Sequence, residues 1–296
     1  MILETINLNK RFGSIHAVNN VSVAIDKGTA YGLLGPNGSG KTTTLGIVMS
    51  VLRSDSGEFK WFDQYANSNI YKHIGCLLEI PSFFPYLSLH KNLEIIARIR
   101  EVNTGEIDRA LDETGLLKRR KSRFDTLSLG MKQRLAIAST LLGDPEVLVF
   151  DEPANGLDPE GIAEVRNLIL RQREKGKTLI MASHILDEVE KVCTHVGVLK
   201  QGKVISSGRV EDLLQIDDLI VVGAEDPVKL KVEIESAGIA KSVVLSGSTV
   251  EVVPAEGCDS ATINKLAYEK GIIITELRIR KSTLEEQFLE LVKNKS

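Results

Sequence analysis

The sequence predicts an α/β fold with a mostly parallel sheet, followed by a smaller α+β domain. Three observations support this prediction. Strand-like and helical runs alternate from residue 1 to about 215. Two of these runs, EVLVF and TLIMAS, are almost continuously apolar, which is typical of strands buried on both faces of a parallel sheet. From residue 216 to 296 the predicted elements follow the order βαββαβ of a ferredoxin-like unit, with one further helix.

The elements of the first domain, residues 1–215, follow from apolar runs and turn residues. The turn Asp26-Lys27-Gly28 separates the first two strands, and Gly176 ends the last helix. Because strand signals are few between about residues 85 and 142, a helical subdomain is predicted there. The remaining elements are strands at Val21–Ile25 and Ala30–Gly35, a helix at Thr42–Leu52, a strand at Glu146–Phe150, a helix at Pro159–Lys175 and a strand at Thr178–Ser183.

The second domain, residues 216–296, shows no phosphate-binding loop and no cluster of ligand residues. A dimerisation or stabilising role is therefore favoured for it over a sensor role. Its predicted elements are a strand at Leu219–Gly223, a helix at Pro227–Ala237, a hairpin of Ser242–Leu245 and Thr249–Val253, a helix at Asp259–Lys270, a strand at Ile272–Ile279 and a closing helix at Ser282–Val292.

Composition and charge restrict the possible partners. With a formal net charge of −3 over 296 residues, no global attraction to nucleic acid or to an acidic membrane is expected. Cys76, Cys193 and Cys258 are scattered outside any CxxC pattern, which suits a reducing cytoplasm and gives no sign of a disulfide framework or a zinc site. The start of the chain does not read as a signal peptide, and no apolar stretch reaches the ~18 residues of a membrane-spanning helix. Any action on a membrane is expected from its surface.

The segment Gly35–Thr42, GPNGSGKT, fits the pattern G-x-x-x-x-G-K-[ST] at every fixed position. Its small residues allow backbone N–H groups to converge on phosphates, and the helix that follows directs its positive end at the anion. Lys41 is predicted to reach the β- and γ-phosphates, and the Thr42 hydroxyl to bind Mg²⁺. The alternative is a glycine-rich turn that matches by chance, but a predicted strand precedes the loop and a predicted helix follows it.

The apolar strand that ends at Phe150 is followed by two carboxylates, Asp151 and Glu152. At the carboxyl end of a parallel strand such groups lie beside the nucleotide crevice. Asp151 is therefore placed to hold the Mg²⁺ shell, and Glu152 to orient or deprotonate the attacking water. Taken alone, the pair could be two solvated acids at a strand end. The phosphate loop upstream favours the functional interpretation.

Two further positions suggest contacts with phosphate. Ser128 and Gly130 precede an amphipathic helix, where Ser128 serves as an N-cap or, with Gly130, as a second phosphate-binding nest shared between two chains. His184 follows the strand TLIMAS on the crevice side, where it can touch the γ-phosphate. The remaining histidines share no metal-ligand spacing. The basic run from Lys118 to Lys121 is expected to be a solvated surface.

With these motifs, in this order and spacing, the sequence resembles the ABC transporter ATPase family over residues 1 to about 215. GPNGSGKTT matches the family's Walker A motif, LVFDEP its Walker B motif and Asn155–Pro159 its D-loop. LSLGMKQRL resembles the signature motif and ASH the switch histidine. Phe12 occupies the place of the aromatic residue that stacks on adenine. Two positions depart from the family pattern: Glu79 stands where the Q-loop usually has Gln, and Leu129 where the signature usually has Gly.

This resemblance implies ATP and Mg²⁺ as ligands. It implies Lys41, Glu152 and His184 as catalytic residues, and Thr42, Glu79 and Asp151 as residues that hold the metal. The nucleotide-binding residues that it implies are Phe12, Gly35, Pro36, Asn37, Gly38, Ser39, Gly40, Lys41, Thr42, Thr43, Glu79, Ser128, Gly130, Asp151 and Asp158.

The spacing from Phe12 to Gly35, the stretch IGCLLEIPSFFPYLS and the ending LEEQFLELV resemble one branch more closely, the exporters of drugs and peptide antibiotics akin to bacitracin-resistance and lantibiotic-immunity ATPases. This implies a separate transmembrane permease, a homodimer or heterodimer of ATPase chains, and a cytoplasmic location at the inner face of the membrane. One rival is an ABC ATPase acting on ribosomes or DNA, whose paired halves or long coiled coil are missing here. The other rival, a regulatory protein that holds ATP without turnover, is opposed by Glu152.

Overall fold

The computed structural model of the chain describes residues 1–65, 69–78, 83–214 and 219–280. The chain divides into two compact units, Met1–Val210 and a second unit that begins at Glu211. The strands of the first unit are β1 (Leu3–Phe12), β2 (Ile15–Ile25), β3 (Ala30–Leu34), β4 (Ser56–Trp61), β5 (Gln64–Tyr65), β6 (Ile74–Leu77), β7 (Val147–Asp151), β8 (Thr178–Ser183), β9 (His195–Lys200) and β10 (Lys203–Arg209). Its helices are α1 (Lys41–Val48), α2 (Leu89–Ile99), α3 (Ile107–Glu113), α4 (Leu129–Thr140), α5 (Pro159–Glu174) and α6 (Leu186–Val192), and α7 (Val210–Leu214) begins at its last residue.

The central sheet of the first unit has the strand order β10-β9-β3-β8-β7-β6. All neighbouring strands in it are parallel except β9 and β10, so the predicted mostly parallel sheet is confirmed. β3 and β8 are buried along their whole length, as their continuous apolar sequences predict. Because β3, β8 and β7 are adjacent and parallel, the segments after their carboxyl ends meet at one edge of the sheet.

A second sheet of the first unit is antiparallel, in the order β2-β1-β4-β5. Only Val21–Ile25 of it had been predicted as a strand. The apolar alternation in β1 and β2 is interrupted where their pairing shifts register, and Asn7 and Asn20 have positive φ angles in these strands. The buried Trp61 attaches this sheet to α1, because its indole Nε1 donates a hydrogen bond of 2.7 Å to the carbonyl of Val48.

The helix after the phosphate loop is shorter than predicted, since it ends at Val48 and not at Leu52. Ser50 has a φ of 56°, and the N–H groups of Val51 and Leu52 both bond to the carbonyl of Gly46. The chain therefore leaves the helix through a left-handed residue that is not glycine. Within the region predicted to be helical, the structure has α2, α3 and α4.

In its described residues, the second unit is an antiparallel sheet covered by two helices. Its elements are β11 (Leu219–Ala224), α8 (Pro227–Ala237), β12 (Ala240–Ser246), β13 (Thr249–Pro254), α9 (Ser260–Glu269) and β14 (Ile274–Arg280), with the sheet order β12-β13-β11-β14. Side chains of β11 and β13 such as Val222 and Val252 pack with Leu230, Ile234 and Ile263 of the helices. This arrangement is compatible with the predicted ferredoxin-like α+β domain. The predicted closing helix at Ser282–Val292 lies outside the described residues.

Candidate active site

The loop between β3 and α1 has a backbone that glycine alone fits at two positions. Gly35 and Gly40 have φ angles of 157° and 105°. A Cβ atom at Gly40 would lie 2.2 Å from the carbonyl oxygen of Ala17, and one at Gly35 would lie 2.4 Å from that of Leu199. A side chain at either position would thus strain the backbone and collide with neighbouring backbone atoms. Gly38 also has a positive φ, of 78°, with open space around it.

The side chains of this loop and of the start of α1 differ in exposure. Lys41 is only 6% exposed, and its Nζ atom donates to the carbonyl of Gly35 at 2.8 Å. Pro36, Asn37 and Thr42 are exposed, and Thr43 is half-buried beside them. The Ser39 hydroxyl is buried without a hydrogen-bond partner among the described residues. A buried hydroxyl next to Lys41 and the first turn of a helix is a fitting environment for a phosphate oxygen.

The structure brings Lys41, Glu152 and His184 together. Glu152 Oε2 lies 2.8 Å from His184 Nδ1 and accepts a bond of 3.3 Å from the backbone N–H of His184, while Glu152 Oε1 lies 3.5 Å from Lys41 Nζ. These residues follow β3, β7 and β8, so the parallel sheet accounts for their convergence. The carboxylate is therefore held between two groups that can each carry positive charge.

Glu152 has a φ angle of 49°, in the left-handed region. A residue other than glycine pays about 1–3 kcal/mol for such a conformation, and residues of this kind cluster at functional sites. The backbone is fixed there by two hydrogen bonds, from Glu152 N–H to the carbonyl of Ala182 at 2.9 Å and from Asn155 N–H to the carbonyl of Glu152 at 3.1 Å. The turn thus directs the carboxylate away from the strand axis of β7 and toward His184.

The residues near this cluster suit a magnesium ion that is shared with phosphate. Mg²⁺ takes oxygen ligands and is bound through one or two carboxylates together with substrate phosphates. Asp151 ends β7 directly before Glu152, and the exposed Thr42 begins α1 beside Lys41. In the described part of the chain, no group of three or more His, Cys, Asp or Glu side chains forms a cage for a metal by itself. This donor set fits Mg²⁺ only when phosphate oxygens complete it.

Ser128, Gly130 and Asp158 line a separate cavity of about 380 Å³. Ser128 is the N-cap of α4 and accepts a bond of 3.3 Å from the N–H of Met131, so the N-cap prediction is confirmed. Asp158 is the N-cap of α5 and accepts a bond of 2.9 Å from the N–H of Gly161. Where residues are described, no hydrogen bond or ion pair joins Ser128, Gly130 or Asp158 to the cluster of Lys41, Glu152 and His184. The predicted site residues therefore form two sets.

Two of the predicted residues lie outside both sets. Phe12 ends β1 and is about half exposed, with Lys10 Nζ at 5.6 Å from its ring centroid. Glu79 falls outside the described residues. Gly202, which no motif of the sequence indicates, also contacts the loop: its N–H donates to the carbonyl of Ser39 at 2.9 Å, and its own carbonyl accepts from the N–H of Asn19. The dipeptide Gln201-Gly202 between two strand-like runs is a turn signal, but the sequence does not show that the turn touches the phosphate loop.

In the part of the chain that the structure describes, no helix has both the length and the apolar character needed to cross a membrane. A family model described as ABC transporter matches residues 18–155. The bacitracin transport ATP-binding protein BcrA of Enterococcus faecalis is 32% identical over 297 residues, which are 98% of this chain and 96% of the relative. The lantibiotic transport ATP-binding protein SrtF of Streptococcus pyogenes is 35% identical over 218 residues, 74% of this chain and 95% of the relative.

A solved structure of an ATP-binding cassette of an ABC transporter in its ADP conformation matches with a TM-score of 0.66 and 25% identity, covering 72% of this chain and 94% of the cassette. The resemblance inferred from the motifs, including its branch, is confirmed by these relatives. By its sequence and its fold the chain belongs to the ATP-binding proteins of ABC transporters, which bind and hydrolyse ATP to energise transport.

Proposed function

We propose that the chain energises the export of a peptide antibiotic or a similar drug through a separate membrane permease, from the cytoplasmic face of the membrane. The support is the likeness over 98% of the chain to a bacitracin transport protein, together with the likeness to a lantibiotic transport protein. In this proposal residues 1–215 are the nucleotide-binding domain and residues 216–296 an accessory domain with a dimerising or stabilising role.

The observation that carries the catalytic part of the proposal is the convergence of Lys41, Glu152 and His184. Lys41 binds the β- and γ-phosphates and gives up its bonds to the loop carbonyls when phosphate oxygens replace them. Glu152 accepts a proton from the attacking water. His184 contacts the γ-phosphate and, through its bond to Glu152, holds the carboxylate in place. Phe12 stacks on the adenine, since an exposed aromatic ring at a strand end offers a free face.

Thr42 and Asp151 hold Mg²⁺ in this proposal, with Glu79, which is outside the described residues, as a third group. When bound, Mg²⁺ neutralises charge on the β- and γ-phosphates. The backbone N–H groups from Asn37 to Thr43 surround the phosphates, and the buried Ser39 hydroxyl supplies a further donor. The chain's own part is thus to bind the triphosphate, to orient the water and to hold its proton on Glu152.

The second set of residues completes the site of another copy or of a related chain. Ser128 and Gly130 lie at the N-terminus of α4 and Asp158 at the N-terminus of α5, so both helices direct positive ends at one cavity. In the described residues, no hydrogen bond or ion pair joins that cavity to the phosphate loop of the same chain. We infer that two chains enclose two ATP molecules, each bound by one P-loop and the opposite Ser128 cavity.

The aromatic residues between Phe83 and Tyr86 differ in burial, since one is packed in the core and two are exposed. Phe83 is 8% exposed and its ring centroid lies 5.0 Å from that of Phe124, so it belongs to the core. Phe84 and Tyr86 form an edge-to-face pair at 6.1 Å, and Tyr86 is 64% exposed. We propose that this exposed pair contributes to the surface that receives a cytoplasmic segment of the permease.

Replacement of Glu152 by Gln tests the proposal. The amide keeps the shape of the side chain but cannot take a proton from water, so hydrolysis should slow by at least about 100-fold, while ATP binding stays nearly intact. ATP then persists, and the closed two-chain state should accumulate. Steady-state ATPase rates, nucleotide titration and sizing with and without ATP and Mg²⁺ measure these three effects.

Glu146→Gln is the matched control. Glu146 directly precedes β7 and Glu152 directly follows it, but Glu146 pairs with the exposed Lys27 at 2.9 Å, away from the cluster. It should leave all three measurements unchanged. An undiminished ATPase rate in Glu152→Gln would refute the assigned role of Glu152. A variant that stays monomeric at saturating ATP would refute the two-chain mechanism for the isolated subunit.

A further inference from the structure

Arg100 joins three elements of the first unit through main-chain carbonyls. It directly follows α2, and its guanidinium donates to the carbonyls of Ser139 and Thr140, each at 3.4 Å, and to that of Ile74 at 3.1 Å. Ser139 and Thr140 are the last residues of α4, while Ile74 is the first residue of β6. One half-buried side chain therefore binds the end of one helix and the start of one strand at the same time.

The chemistry of these contacts favours a cation with several donors. The last carbonyls of a helix have no partner within the helix and carry its negative end, so a positive group there is favourable. A guanidinium has five N–H donors in a fixed plane and can bind several acceptors at once, whereas a lysine ammonium is a single point on a flexible stem. Burial lowers the pKa of the Arg100 guanidinium, and the group keeps its charge because an arginine pKa starts far above neutrality.

The end of α4 and the start of β6 are in direct backbone contact at this place. A Cβ atom at Gly75 would lie 2.2 Å from the carbonyl oxygen of Thr140, so only glycine lets the strand approach the helix end this closely. Arg109 adds a bond of 3.5 Å from its guanidinium to the carbonyl of Leu141, the residue after α4. The C-terminal end of α4 is therefore fixed at the sheet.

The other ends of these elements carry the two sets of site residues. α4 begins after Ser128, which lines the second cavity. β6 pairs in parallel with β7 from Ile74 with Val147 to Leu77 with Phe150, and β7 ends at Asp151, next to Glu152. A rigid helix on one side and a hydrogen-bonded strand pair on the other thus connect Arg100 to both sets.

We propose that Arg100 is a positioning residue for the shared ATP site, because it sets the direction of α4 relative to the β6–β7 pair. In this role it places Ser128 and Gly130 to meet a nucleotide held by the partner chain, without touching that nucleotide. The inference rests on the two-chain mechanism proposed above. Loss of Arg100 should weaken closure of two chains while each P-loop keeps its own affinity for ATP.

The experiment compares Arg100→Met and Arg100→Lys in a Glu152→Gln background, where closed dimers accumulate. Arg98→Met is the matched control, since Arg98 lies in the last turn of α2, is 72% exposed and forms an ion pair with Glu94 at 2.8 Å. In Arg100→Met the dissociation constant of the ATP-bound dimer should rise about tenfold, as mutations in a coupling element do. The affinity of the monomer for ATP should stay within about twofold of that of the parent. The dimer dissociation constant of Arg100→Lys should lie between those of Arg100→Met and the parent. Arg98→Met should match the parent.

These measurements separate positioning from general stabilisation. They are made by sedimentation and by nucleotide titration at least about 20 °C below the melting temperature of each variant, so that partial unfolding does not contribute. The inference is overturned if the dissociation constant of the ATP-bound dimer is unchanged in both Arg100 variants. It is also overturned if the affinity of the monomer for ATP and the affinity of the two chains for each other fall by the same factor. If Arg100→Met does not fold, the Arg100→Lys result decides by the same criteria. If the Glu152→Gln parent itself does not dimerise with ATP, the two-chain mechanism fails first, and this inference fails with it.

Discussion

The Lys41–Glu152–His184 cluster and the Ser128 cavity are built in different ways. In the cluster, a cation and an anion lie 3.5 Å apart and a histidine lies 2.8 Å from the anion, all at one edge of a parallel sheet. The cavity is formed mainly by the first turns of α4 and α5, whose N-caps Ser128 and Asp158 are satisfied by their own helices. The cluster thus has charged groups that contact one another directly, while the cavity combines two helix N-termini with the side chains of Arg134, Asp158, Glu160 and Glu164. We expect the first to bind nucleotide alone and the second only to complete a site.

The largest expected effect on ATP affinity comes from removing the cation of the cluster. Lys41→Ala should lower ATP affinity about 10- to 100-fold, because hydrogen bonds to a charged group are worth about 1.5–3 kcal/mol each. The fold should survive, since the Lys41 contacts that are lost go to two loop carbonyls and to Glu152, which keeps its contact with His184. Titration with a fluorescent nucleotide measures the loss. Lys27→Ala is the control, as Lys27 is an exposed lysine paired with Glu146, and an equal loss there would show a nonspecific charge effect.

A bulky substitution in the cavity should not change the affinity of the monomer for ATP. Ser128→Arg is expected to keep ATP binding within about twofold and to abolish closure in the Glu152→Gln background, because the new side chain occupies the space at the start of α4. Sizing with ATP and Mg²⁺ checks this. Ser88→Arg is the matched control. Ser88 is also a serine N-cap, since it begins α2 and accepts a hydrogen bond of 3.2 Å from the N–H of Lys91. Closure that persists in Ser128→Arg would contradict the assignment of the cavity.

The smallest expected effect is a change in the stability of the fold. Asp158→Ala removes an N-cap of α5, which should cost about 1 kcal/mol and lower the melting temperature by roughly 2–4 °C for a unit of this size. Asp158→Asn should cost almost nothing, because Asn caps helices about as well as Asp. Calorimetry on the two variants tests this. If Asn proves as damaging as Ala, the negative charge of Asp158, and not its capping bond, is what stabilises α5.

The centre of the parallel sheet and its edge could be predicted because β3, β7 and β8 are each a nearly continuous apolar run that ends at a motif, whereas β6, β9 and β10 were not predicted. The antiparallel sheet could not, since β1 and β2 change register several times and place polar residues such as Asn7 and Asn20 in left-handed turns within strands. The early end of α1 was unpredictable for a related reason: Ser50 adopts a conformation for which the sequence signal is normally glycine.

Within the candidate site, spacing in the sequence predicted that Lys41, Glu152 and His184 lie on one edge, but not that Glu152 binds both other residues. That contact depends on the left-handed turn at Glu152, a conformation that nothing in its residue type indicates. Arg100 also escaped prediction, because its partners are main-chain carbonyls and therefore leave no trace in residue identity. Interactions of this kind are visible only when the elements have been packed together.

The attachment of the phosphate loop to Gly202 has a consequence for synthesis of the chain. The loop is complete by residue 42, yet its backbone is tied to Gly202 through the bond to Ser39, and β3 pairs with β8 and β9 on either side. Contacts this distant in sequence form late and slow the folding of a domain, and a ribosome releases the N-terminal part first. Nascent chains shorter than about 200 residues should therefore lack a formed phosphate loop. ATP can act as a stabilising ligand only after nearly the whole first unit has been made.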